Sequence, residues 1–192
     1  MRYLVQCLGL IILLLSLVSM GHPEDFSLQY FLAKTSSKES ELSNKEQSEL
    51  LNRIQEVLEQ AQRIQRSLID AIQVGEVKLE YQEGRFWMSK LEEDGGSVET
   101  GIVQLRLLRE KPTHLVAAMK LYKSLRDLSS HFNAYNNTPL FSAFIGDLAP
   151  EMELWVDPIF YRLYLLPLTH SKDREPEPAK KEERSVPKDK EP

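Results

Sequence analysis

Seven apolar residues, Leu50, Ile54, Val57, Ala61, Ile64, Leu68 and Ala71, recur at alternating steps of four and three. That spacing places all seven on one side of a helix. No other feature restricts the fold of this chain so tightly. Leu51, Leu58 and Ile72 widen the stripe, while Asn52, Arg53, Glu56, Glu59, Arg63, Arg66 and Asp70 occupy the opposite face. The stripe is broader than the two-residue seam of a coiled coil, so it predicts packing within a helical bundle. A coiled-coil homodimer is the alternative. Ser43 and Glu46 are spaced as a capping box that opens the helix, and Gly75 stands where it should stop. Before it, residues 34–49 are polar and serine-rich, and 22–43 are expected to form a flexible segment.

The pattern changes after Gly75. Val77, Leu79 and Tyr81 alternate with charged neighbours, Glu83-Gly84 resembles a turn, and Phe86 and Met88 resume the alternation. These features predict a small β-hairpin near 76–90, packed on the helices because an isolated hairpin is marginal in water. Residues 101–110 fit a short helix slightly better than a third strand. Pro112 is placed to open the next helix, whose stripe is Leu115, Met119, Tyr122, Leu125, Leu128, Phe132 and Tyr135. Asn136, Asn137 and Pro139 close that helix, with an asparagine suited to a left-handed cap. The last apolar stretch is broken by Gly146, Pro150 and Pro158, with Pro158 at a helix start or at a kink in a longer helix. Its charges and breaks make it core rather than a membrane span. The expected architecture is mainly α: a bundle over 44–169 with a long amphipathic first helix and one hairpin.

Both ends of the chain differ from this middle. Arg2 is followed by an apolar run from Leu8 to Met20, interrupted only by Gly9, Ser16 and Ser19, and Ser19 and Gly21 fit a small-x-small cleavage site. Residues 1–21 therefore read as a secretory signal peptide, with a retained membrane tether as the alternative. Cleavage would remove Cys7, the single cysteine, and with Arg2 one positive charge, moving the formal net charge from −5 to −6. Disulfides and thiolate chemistry would then be excluded. A mildly acidic chain is also a poor partner for nucleic acid. Residues 170–192 mix both charges with four prolines and almost nothing to bury, which predicts a disordered tail.

The search for chemistry yields few candidates. Asp127 and His131 stand one turn apart on a helix, the spacing of a surface carboxylate–imidazole pair. Glu151, Glu153 and Asp157 gather near Trp155, and paired carboxylates beside an aromatic ring are what a glycoside hydrolase uses. The dipole of a helix start explains the same acids without catalysis. No phosphate-binding loop, nucleophile elbow or His-Glu-x-x-His motif is present in the sequence. Asn136-Asn137-Thr138 fits a glycosylation acceptor for a eukaryotic secretory route. Trp155, Phe160, Tyr161 and Tyr164 form a candidate partner surface, although aromatics at helical spacing also build cores. No catalytic, cofactor or metal site is expected. The sequence points to an exported, non-enzymatic structural or protein-binding component of the periplasm, cell envelope or extracellular space. A carboxylate-dependent hydrolase and a membrane-surface protein are the alternatives.

Overall fold

The structure is a computed structural model and describes residues 26–37 and 41–171. The expected signal over 1–21 lies outside the described residues, as does the expected tail beyond Ser171. The elements are α1 (Leu28–Thr35), α2 (Asn44–Gln73), α3 (Tyr81–Glu110), α4 (Leu115–Asn136), α5 (Ser142–Ile145) and α6 (Leu148–Leu154). A π-helical segment (Trp155–Leu165) and α7 (Leu166–Ser171) complete the chain. The fold is an all-α bundle, with no strand among the described residues.

Helix α2 forms where the spacing places it. Ser43 Oγ accepts the Glu46 N–H at 3.3 Å while Glu46 Oε2 accepts the Ser43 N–H at 2.7 Å, which completes the capping box. At the other end Gly75 adopts a φ of 75°, a conformation open to glycine at little cost. Leu50, Ile54, Val57, Leu58, Ala61, Leu68 and Ala71 are buried. The stripe departs from expectation at one turn, where Ile64 is only half-buried and its neighbour Gln65 takes the inner place.

The hairpin expected near 76–90 does not form. Val77–Glu80 is a short connection, and a single 30-residue helix, α3, begins at Tyr81. Glu83-Gly84, read as a turn, lies in its first turn, where Glu83 Oε2 accepts the Glu80 N–H at 3.2 Å. The helical expectation for 101–110 is met by the second half of the same element. The inner face of α3 consists of Leu91, Asp94, Val98, Gly101, Leu105 and Leu108. Their steps of three and four define a helix, but Asp and Gly at two of the six places hide the period from a hydrophobicity pattern.

Glycines in α3 set how closely its neighbours approach. A Cβ on Gly101 would lie 2.9 Å from Leu58 Cδ1 of α2 and 3.6 Å from Leu121 Cδ1 of α4. One on Gly95 would lie 2.8 Å from Gln65 Nε2. Each glycine costs roughly 1 kcal/mol of helix propensity, and here that cost is offset by packing against helices on both sides.

Two expected boundaries of α4 shift. Pro112 does not open the helix. The helix starts at Leu115 with His114 as N-cap, whose Nδ1 accepts the Ala117 N–H at 3.1 Å. At its end Asn137 keeps a right-handed φ of −80°, so no left-handed cap is used. The buried face of α4 also turns away from part of the expected stripe. Ala117, Ala118 and Leu121 lie inside, and Met119 is 54% exposed.

Residues 22–43 were expected to be flexible, yet Leu28–Thr35 is a helix that seats Phe31 fully in the core against Trp155. One aromatic anchor in a short polar segment leaves little periodicity to detect. Beyond α6 the chain continues without interruption through Pro158, as the kink alternative proposed. A proline in a helix interior has no N–H to donate and crowds the carbonyl four residues before it. The Leu166 N–H bonds instead to the Tyr161 carbonyl, five residues back, and the helix stays wide from Trp155 to Leu165.

Candidate functional site

Three regions hold groups able to do more than pack. The first is a polar layer across the middle of the bundle. Asp94 on α3 is fully buried, and its carboxyl accepts the Tyr135 hydroxyl at 2.5 Å and lies 2.6 Å from His131 Nδ1. On the other side of α3, Gln65 Nε2 donates to the Leu91 carbonyl at 2.6 Å. Burial pushes the Asp94 carboxyl up from its ordinary range, against the pull of the Tyr135 and His131 hydrogen bonds. Burial and the adjoining carboxylate also push the Tyr135 phenol up, so it remains a donor. Carboxyl, phenol and imidazole therefore form one network in which no buried polar side-chain atom lacks a partner. The pairing of His131 with Asp127 expected from their spacing is corrected, because Asp127 instead accepts from Lys123 at 2.5 Å. The true partner lies 37 residues away on another helix, and local spacing carries no signal for it.

The second region is the acidic stretch at 151–157. Glu151 Oε1 accepts the Trp155 indole N–H at 3.0 Å, Asp157 Oδ1 accepts the Tyr122 hydroxyl at 2.7 Å, and Glu153 is exposed. Glu151 and Trp155 border a cleft of about 330 Å³ with Arg53, Glu56 and Gln60, whereas Asp157 turns toward α4. The three acids are not gathered about one point. The four aromatics proposed as a partner surface are divided in the same way. Trp155, Phe160 and Tyr164 are core residues, and only Tyr161 reaches the surface, at 39% exposure. Trp155 packs on Phe31, Phe160 stacks on Tyr164, and the Tyr164 hydroxyl donates to the Pro112 carbonyl at 3.1 Å. Burial raises that phenol to about 12. The wide helix supplies the surface that encloses these rings.

The third region was not singled out by the sequence. Where α2 ends and α3 begins, a groove of about 810 Å³ is lined by Ile72, Val77, Leu79, Tyr81, Arg85 and Met88, among others. Tyr81, 75% exposed, stands at its edge, and Lys78, Glu80 and Glu92 add charge to its lining. Arg85 lies over the Tyr81 ring at 6.0 Å. Of the alternation that suggested a hairpin, Val77, Leu79, Tyr81 and Met88 line this groove rather than one face of a sheet.

A separate buried carboxylate fastens α1 to α2. Glu46 accepts the Tyr30 hydroxyl at 2.5 Å and pairs with Lys34. Burial alone would raise its carboxyl, but the bonds from Lys34, Ser43 and Tyr30 prevail and hold it at about 2. Among the described residues no cluster of three or more potential metal ligands occurs, and no helix is long and apolar enough to cross a membrane. No family model, curated protein or solved structure matches the chain.

Proposed function

We propose that this chain is an exported, non-enzymatic protein-binding component that holds a partner protein at the groove between α2 and α3. The observation that carries the reading is that groove, with Leu79 and Met88 in its lining and the exposed Tyr81 at its edge. Large apolar side chains that line an open concavity are costly to leave in water and useful at an interface. Export is supported by the short apolar opening of the sequence and its small-x-small ending.

The hydrolase alternative has less support. Its carboxylates are engaged with Trp155 and Tyr122 rather than directed at one another across a substrate-sized gap. Tyr81→Asp places a charge at the edge of the groove without entering the core, and Val103→Asp makes a comparable change at an exposed site farther along α3. Both variants, each starting at His22, would be immobilised and challenged with extract of the native compartment. The reading expects Tyr81→Asp to lose partners that wild type and Val103→Asp retain. Identical capture by all three proteins would refute the groove assignment.

A further inference from the structure

The outer face of α4 has a composition unlike the rest of the molecule. Val116, Met119, Lys123 and Arg126 succeed one another at three- and four-residue steps, Lys120 lies four residues from Val116 and three from Lys123, and all five are exposed, so they share one side of the helix. Val116 is 56% exposed and Met119 54%. One turn beyond Met119, the Tyr122 ring meets Tyr161 of the π-helical segment with centroids 5.6 Å apart, and Arg162 is exposed beside it. Asp127, Asp157 and Glu93 are acids nearby, and they are engaged with Lys123, Tyr122 and Lys90 in turn. Four basic groups therefore surround an apolar strip in a chain of net charge −5. The outer face of α2 is mixed in charge instead, with Glu49, Glu56 and Glu59 interspersed with Arg53, Arg63 and Arg66.

We propose that the α4 face, with Val116, Met119 and Tyr161 at its centre and Lys120, Lys123, Arg126 and Arg162 around them, docks on an anionic lipid surface. Charge complementarity identifies the occupant as anionic, and the shape of the face favours lipid. It is the exposed outer side of a helix, the form in which an amphipathic helix lies on a bilayer. Short apolar side chains enter the headgroup boundary while the long Lys and Arg side chains spread to phosphates. Tyrosine suits that depth because its ring is apolar and its hydroxyl stays wet. The proposal goes beyond the protein-binding reading and does not depend on it, since the groove and this face belong to different elements.

The test uses the chain from His22 to Pro192, which keeps every described residue and removes the apolar opening that would itself enter lipid. Sedimentation with vesicles of equal parts phosphatidylglycerol and phosphatidylcholine should carry the protein down at about 0.05 M salt and release it at about 0.5 M. Partitioning onto pure phosphatidylcholine should be weaker by about tenfold or more. Lys120→Glu with Lys123→Glu, and separately Met119→Asp, should each reduce binding by about tenfold, while Glu56→Gln on the far face stays within about twofold. Circular dichroism melting would establish that every variant is folded. Equal binding to both vesicle types, or binding that the charge reversal leaves intact, would overturn the proposal. So would a lack of vesicle binding joined to salt-sensitive retention on immobilised polyglutamate, which would give the face to an acidic protein instead.

Discussion

Glu46 and Asp94 are both carboxylates buried in this bundle, and their surroundings drive them in opposite directions. Glu46 joins α1 to α2 near the surface and receives a lysine, a tyrosine hydroxyl and a backbone N–H. Asp94 lies at the centre, with one phenol and one imidazole and no permanent cation. The donors decide the outcome. Glu46 is held at about 2, below its ordinary 4.5, so the unfolded chain binds its proton more readily. Its contribution to stability is therefore complete above about 4.5 and is lost as pH falls toward about 2. Asp94 is raised above its ordinary 3.8, so the folded chain keeps that proton longer. Its contribution is present below 3.8 and is lost as pH rises through the folded value. One carboxylate fastens the fold by being charged, and the other is tolerated there because its partners are complete.

The largest effect should come from removing one of those partners. Tyr135→Phe leaves a buried Asp94 oxygen without a donor and should cost about 2–3 kcal/mol at neutral pH, measured by urea unfolding. The loss should shrink in acid, where the carboxyl is neutral. A loss that is constant with pH would mean that ring packing, not the hydrogen bond, holds the layer. Glu46→Gln comes next, at about 1–2 kcal/mol, since a neutral amide keeps part of the cap but not the pairing with Lys34. That difference from wild type should vanish as pH approaches 2, and a difference persisting there would show that Glu46 acts through shape alone. Asp94→Asn should be milder, within about 1 kcal/mol at neutral pH, because an amide fills the same space at no charge-burial cost. Relative to wild type it should gain as pH rises from acid to neutral, the reverse of Glu46→Gln. Parallel pH profiles for the two variants would abolish the contrast drawn here. Arg63→Ala, on the exposed side of α2, should stay within about 0.5 kcal/mol at every pH.

The same contrast explains what the sequence disclosed. The Glu46 arrangement was half legible, because a capping box is local and Ser43 and Glu46 are three residues apart. The contribution of α1 was hidden, since it rests on one buried phenylalanine and a tyrosine and lysine reaching across from another element. Nothing in the neighbourhood of Asp94 announced its role. Its partners lie 37 and 41 residues away, and the local spacing favoured a different acid for His131. Helices α2 and α3 are both 30 residues long, yet only α2 could be read from its pattern. The inner positions of α2 are almost all aliphatic, with Gln65 and the first-turn Glu46 the exceptions, while α3 places an aspartate and a glycine among its six. Those two residues do specific work in the bundle, one in the polar layer and one in close helix approach, and both tasks remove the hydrophobic signal. The groove escaped notice for a related reason, because its apolar lining residues imitated strand alternation.

The wide helix from Trp155 to Leu165 also bears on how this chain can tolerate insertion and deletion. An ordinary α-helix turns by about 100° per residue, so losing one residue upstream swings everything downstream by that angle. A five-residue ladder accommodates more chain per turn than a four-residue one, which makes this stretch a store of spare residues within a continuous rod. Removing one of them near Pro158 would let the narrower ladder re-form, with Tyr164 carried away from the Pro112 carbonyl and Phe160 out of register with the core. The width of the segment thus fixes the phase between α6 and the end of the fold, and chain length there is as strictly set as residue identity.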